Sequence, residues 1–236
     1  MKKISVIVGV LLGDGSITLC IVGATLAYTR IVPGVVGFGI FALGLLLGVV
    51  ATLYGIVLLY RSGVSVGSVT AMLGFVPAVF LLYTVIDTRG APPINDITTD
   101  LIYPPAFEAA LEEPANADRD MAYPEDFKSI VADSYPTLGP MGMQQGVDEI
   151  FGRAMDITEE RDDWVVTSTR ITPKESVFEG YATTRVFGFV DDFVVRIAEV
   201  DGGCVVDMRS KSRDGVGDLG ANAARIEAFF AQLSGN

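Results

Sequence analysis

Three stretches of this chain, Ile4–Tyr28, Val35–Tyr60 and Val64–Ile86, are almost wholly apolar and follow one another with only short breaks. Each exceeds the ~20 residues a helix needs to cross a hydrocarbon layer about 30 Å thick. Within lipid every backbone N–H and C=O must find a partner in the chain itself, so such stretches fold as helices. The first begins with Lys2 and Lys3, like a secretory leader, but no small-residue cleavage site precedes the second stretch. It therefore reads as a retained helix. Gly9/Gly13 and Gly44/Gly48 are GxxxG pairs, which permit close helix contact. Asp14 interrupts the first stretch, and a carboxylate at that depth is a functional hypothesis. The alternative is local satisfaction by Ser16 or Thr18. Pro77 is expected to kink the third span, its freed carbonyl being satisfied by neighbouring helices.

Charge divides the chain at the same place. Four of the 17 basic residues (Lys2, Lys3, Arg30, Arg61) and two of the 29 acidic ones (Asp14, Asp87) lie in the first 88 residues. The remainder holds 13 basic and 27 acidic residues, a net charge of −14. This contrast predicts a membrane anchor over 1–88, a Pro-rich extended strap over 89–122 and a soluble domain over 123–236. A domain so acidic is a poor partner for nucleic acid, whose backbone calls for Lys and Arg. Lys2, Lys3 and Arg61 fall on one side of the three spans, Arg30 and Arg89 on the other. The excess places the N-terminus in the cytoplasm and the C-terminal domain outside it, as for a multi-pass protein of a bacterial inner membrane.

The strap carries Pro92, Pro93, Pro104, Pro105 and Pro114, which hold themselves and their predecessors extended. Ile94, Ile97, Leu101, Ile102 and Phe107 are too apolar for a free tether and predict that the strap lies against the domain. Asp96 and Asp100 are candidates for a hard cation, but two acids among turn formers more often serve as caps.

The soluble region is read from periodicity. Short helices are expected over 124–133 and 146–157, a short strand over 138–143, and strands over 164–171 and 177–187. Phe189–Val200 and Gly203–Arg213 flank Asp201-Gly202, a strong hairpin signal in which both turn residues are expected at positive φ. That turn pairs Arg196 with Asp207 and Asp192 with Lys211, each opposite-charge pair being worth roughly 0.2–1 kcal/mol. Alternation puts Phe193, Val195, Ile197, Cys204, Val206 and Met208 on one face, and Asp192, Arg196, Asp207, Arg209 and Lys211 on the other. A final helix, capped by Asp218 and bearing Leu219, Asn222, Ala223, Ile226, Phe230 and Leu233, covers the apolar face. The fold class is α+β: three N-terminal transmembrane helices, then a two-layer domain of antiparallel sheet with helices on one face, in the order β-α-β-β-β-β-α.

The chain contains no histidine. Ser-His-Asp triads, Cys-His dyads and His-ligated zinc sites are thereby excluded within it. Cys20 and Cys204 lie too far apart in context to pair, and Gly215-Val-Gly217 lacks the spacing of a dinucleotide fingerprint. No cofactor, metal site or catalytic residue is indicated. The polar sheet face gathers Thr183, Arg185, Arg196, Arg209, Lys211 and Arg213, a cationic patch in an acidic domain. It is the candidate binding face for an anionic group such as a lipid phosphate; the competing reading is a solvated face laced with salt bridges. The function expected is a membrane-anchored binding or interaction module for an anionic group, lipid or protein partner. A carboxylate-dependent hydrolase or transferase on an envelope substrate, and a structural subunit of a membrane complex, are the alternatives.

Several motifs carry a family resemblance. Pro92-Pro-Ile-Asn-Asp-Ile-Thr-Thr-Asp100, Ala182-Thr-Thr-Arg-Val-Phe-Gly-Phe-Val-Asp-Asp192, Arg209-Ser-Lys-Ser-Arg213 and Gly217-Asp-Leu-Gly-Ala-Asn-Ala-Ala-Arg-Ile226 resemble the domain of unknown function 1499 family over roughly residues 91–234. With its three apolar spans the chain looks like the membrane-anchored branch. Asp214 departs from the pattern, which leads one to expect an apolar residue there. The resemblance implies a common fold and no established activity.

Overall fold

The computed structural model describes residues 2–88 and 90–235, so Arg89, used in the orientation argument, lies outside the described residues. The chain divides into two compact units, residues 1–89 with 185–188, and residues 90–184 with 189–236.

The first unit is helical: α1 (Lys2–Tyr28), α2 (Gly34–Ser62), α3 (Val66–Met72) and α4 (Phe75–Asp87). Three helical spans, Lys3–Tyr28, Gly34–Ser62 and Val66–Ile86, are long and apolar enough to cross a membrane. The third is broken at Leu73-Gly74, three residues before Pro77. Pro77 thus sits in the first turn of α4, where a missing N–H leaves no bond unmade. It starts a helix and does not kink one. Gly74 is needed at the break, since a Cβ there would lie 2.6 Å from the Gly48 carbonyl oxygen. Both GxxxG pairs are at helix contacts. Gly13 abuts the Thr70 carbonyl of α3, and a Cβ on Gly44 would fall 2.7 Å from the Cys20 sulfur of α1. Asp14 is exposed on α1 between buried Gly13 and Ser16, and the Ser16 hydroxyl donates to the Gly13 carbonyl (2.7 Å) and not to that carboxylate.

The second unit contains β1 (Asp96–Thr98), two 3-10 turns (Ala109–Glu112 and Pro114–Asn116), α5 (Glu125–Ser134), β2 (Met141–Met143), α6 (Val147–Glu159), β3 (Trp164–Ile171), β4 (Glu175–Thr183), β5 (Val190–Val200), β6 (Gly203–Ser212) and α7 (Ala221–Ser234). The strands form one antiparallel sheet in the order β1-β6-β5-β4-β3, with β2 also on β6. The hairpin register is the expected one: Val200 opposes Gly203, Arg196 opposes Asp207, and Asp192 opposes Lys211. Only Gly202 of the turn takes positive φ (87°); Asp201 does not. The strand expected to run to Phe187 ends at Thr183, and Arg185–Gly188 belongs to the first unit.

One face of the sheet is a conventional core. Phe193, Val195, Ile197, Cys204, Val206 and Met208 are fully buried, beneath Val131 of α5, Ile150 and Ala154 of α6, and Ile226, Phe229 and Leu233 of α7. Trp164 packs here too, its ring centroid 4.6 Å from that of Phe193 and 6.0 Å from that of Phe229. The last helix starts later than its sequence pattern predicts. The Asp218 carboxylate accepts from the Gly220 and Asn222 amides (2.8 and 2.9 Å), and Leu219 stands before the helix, exposed, at φ 56°. Phe229, and not Phe230, is the fully buried aromatic. Asn222, the polar exception on the apolar stripe, accepts from the Ser210 hydroxyl (2.7 Å) and donates toward Ser212 (3.0 Å).

The opposite face departs from expectation. It is closed by the chain from Thr99 to Tyr123, whose Phe107, Ala110 and Met121 pack on Val177 and Val194 of the sheet. The domain therefore has three layers: helices, sheet and strap.

Candidate functional site

Alternation sends Arg170, Val177, Arg196 and Asp207 to the strap-covered face as one cross-strand row. Glu179, Val194, Arg209 and Thr98 form the next row, and Tyr181, Asp192, Lys211 and Asp96 the one after. Side chains of opposite sign are thereby set beside one another on a surface that folding removes from water. A buried charge survives only when paired and hydrogen-bonded.

Each charge on this face has its partner. Arg209, 2 % exposed, donates from Nε and Nη2 to the two oxygens of Asp96 (2.9 and 2.8 Å) and further to the Pro105 and Met121 carbonyls (3.2 and 2.9 Å). Its guanidinium lies between the rings of Phe107 and Tyr123, 4.6 and 5.2 Å from their centroids. Lys211 donates to the same Asp96 (2.8 Å). Asp192 accepts from Arg213 (2.6 and 3.0 Å), Asn116 (3.0 Å) and Arg119 (3.4 Å), and Arg213 lies 5.3 Å over the Tyr181 ring. Glu179 accepts three backbone amides, those of Glu108, Ala109 and Ala110 (2.8–3.0 Å), and so anchors the first 3-10 turn to β4.

Arg196 joins two carboxylates through Nη2 alone: Asp100 of the strap (2.8 Å) and Asp207 of β6 (2.9 Å). Burial pushes the Asp207 carboxyl up, an effect its bond to Arg196 only partly offsets. Burial would also raise Asp100, but the amides of Tyr103 and Ile102, with Arg196, outweigh it and hold that carboxyl below its ordinary value. The two carboxylates hold the guanidinium above its usual range against the opposing effect of burial.

Beside this network the strap and sheet leave a cleft of about 670 Å³. Phe107, Val177 and Val194 give it an apolar lining; Ile102, Tyr103 and Leu111, all exposed, add apolar surface; Lys128, Arg170 and Arg196 bring cations. The Tyr123 hydroxyl, also at the cleft, is buried without a hydrogen-bond partner, and burial followed by the nearby Asp96 charge raises its pKa. A volume of this size suits a small molecule or one end of a lipid.

The residues expected to form an open cationic patch are thus redistributed. Arg209 and Lys211 are sealed inside against Asp96, and Arg213 is committed to Asp192. Thr183 closes β4 half-buried, and Arg185 lies off the sheet. Arg196 alone of the six lines the cleft with side-chain surface to spare, at 21 % exposure. The solvated face becomes an interior because the strap supplies the carboxylates and carbonyls that its cations need. Asp96 and Asp100 are ion-pair partners, with Asp100 also capping the Ile102 and Tyr103 amides (2.9 Å each). Arg170, Phe107 and Tyr123 drew no attention in the sequence as site residues; the apolar content of the strap was the one signal that they would be drawn in.

The model of a family described as protein of unknown function (DUF1499) matches residues 96–233, more than half of the chain. No curated protein and no solved structure matches.

Proposed function

The chain belongs to the DUF1499 family, and from that footing we propose that it is a membrane-anchored binding module whose ligand is an amphiphile lodged in the cleft between strap and sheet. The observation that carries this reading is Arg196. Among the described residues its Nη2 serves both carboxylates, so Nε and Nη1 remain as donors at a cleft whose apolar wall is formed by Phe107, Val177 and Val194. An apolar chamber with a few placed polar groups is the general form of a small-molecule site. The three apolar helices keep the domain in the company of lipid. The charge bias of the short loops supports a cytoplasmic N-terminus and a domain working on the far side of a bacterial inner membrane.

Native mass spectrometry of the full chain, extracted in mild detergent, tests the reading. A bound amphiphile is expected on the unmodified protein and lost from Ala106→Trp, an exposed cleft position where the indole fills the space without disturbing the core. A ligand-free unmodified protein, or a ligand indifferent to Ala106→Trp, refutes it.

A further inference from the structure

The ion pairs around the cleft say more about what it accepts. Lys128 pairs with Glu125 (2.9 Å), and Arg170 with Glu175 (3.1 Å) and Glu108 (3.8 Å). Arg196 pairs with Asp100 and Asp207. Glu108, Glu125 and Glu175 line the cleft beside Lys128, Arg170, Arg196 and Arg209, so it presents both signs of charge side by side. A ligand bearing only negative charge displaces Glu108 and Glu175 from Arg170 and leaves those two carboxylates facing it without a cation. A purely cationic one leaves the spare Arg196 donors without an acceptor.

Resting on the reading above, we infer that the cleft selects an amphiphile whose head carries both signs, an ammonium and a phosphate, over one that is only anionic. The phosphate takes the unspent Nε and Nη1 donors of Arg196 and the guanidinium of Arg170, its neighbour across Val177. The ammonium takes Glu108 and Glu175. Glu108 is 70 % exposed and Glu175 35 %, and solvent-exposed pairs of this kind are weak enough to exchange. The hydrocarbon portion follows Phe107 and the sheet valines, with Ile102, Tyr103 and Leu111 as further apolar surface. Zwitterionic phospholipid is the source of this chemistry nearest to a chain with three apolar spans.

The full chain, reconstituted in nanodiscs of equal phosphatidylethanolamine and phosphatidylglycerol and released into mild detergent, is read by native mass spectrometry. Zwitterionic lipid should be retained over anionic by about tenfold, a ratio that one charge-assisted hydrogen bond sustains. Glu108→Gln with Glu175→Gln, both at the surface, should bring that preference to parity or reverse it, and Ala106→Trp should remove the retained lipid. Parity or an anionic preference in the unmodified chain overturns the inference while leaving the cleft as a lipid site, provided Ala106→Trp still abolishes retention. Retention of neither lipid, or retention that Ala106→Trp leaves unchanged, removes both readings together.

Discussion

The two faces of this sheet are made by the same strands and closed by opposite means. Toward the helices, β5 and β6 present Phe193, Val195, Ile197, Val206 and Met208, sealed by more apolar side chains, with Asp191 paired to Arg225 and Ser210 bonded to Asn222 at one end. Toward the strap, the intervening residues include Asp192, Arg196, Asp207, Arg209 and Lys211 besides Val194, and of the charged ones all but Arg196 are buried as well. The first face gains from removing hydrocarbon from water, an attraction with no direction. The second gains little from burial itself and depends on geometry, because a buried charge without its partner is far costlier than a hydrocarbon without its neighbour. A helix can therefore slide somewhat on the first face, whereas the strap has one seat on the second.

Equal sensitivity of the two faces is the first thing to break. Phe193→Ala should cost about 3–5 kcal/mol through the cavity it leaves. Arg209→Met should cost about 3 kcal/mol or more by leaving Asp96 to Lys211 alone. Trp164, the chain's one tryptophan and part of the core, reports both losses by fluorescence during denaturant unfolding. The comparison sharpens if Asp96→Leu, Arg209→Met and Lys211→Met are combined. The triple change should be less damaging than Arg209→Met alone, since no orphaned charge remains. A triple variant weaker than the single one would show that the strap is held by more than charge pairing.

A smaller effect separates the faces by pH. Asp100 has its carboxyl held below the ordinary value near 3.8, so it contributes stability above that value and loses it as pH falls through the lower folded pKa. Asp100→Asn should cost about 1 kcal/mol at neutral pH, and the gap to the unmodified chain should close below pH 4. Phe193→Ala, which removes no charge, should keep its full deficit across the same titration. Least of all is expected from Lys128→Ala, which removes a surface pair with Glu125 and should shift stability by under ~0.5 kcal/mol. A larger loss there would mean that the cleft rim holds the strap in place.

Much of the fold can be read from residues alone, because the signals were local. Period-two alternation identified the β5–β6 register, Asp-Gly its turn, and the apolar spans their own helices. The turn conformation was misread because only Gly202 needs positive φ in the bend adopted. The start of α7 was misread because Asp218 caps from two residues further out than an ordinary cap. The site was less legible. Arg209 and Lys211 sit on the strand face that alternation assigns to solvent, and nothing in β6 reveals that Asp96, more than a hundred residues earlier, is aimed at them. The apolar strap residues showed that the segment would dock. They did not show on which face, since charge pairing and not hydrophobic pattern chose it.

The pairing of β1 with β6 has a consequence for biosynthesis. Asp96 emerges from the ribosome soon after the last apolar span, yet its partner Lys211 follows 115 residues later. Until then β1 has no strand to join, and the nascent domain carries Asp96 without its two cations. A polypeptide cut short before Arg209 lacks both cations that hold Asp96 in the folded domain.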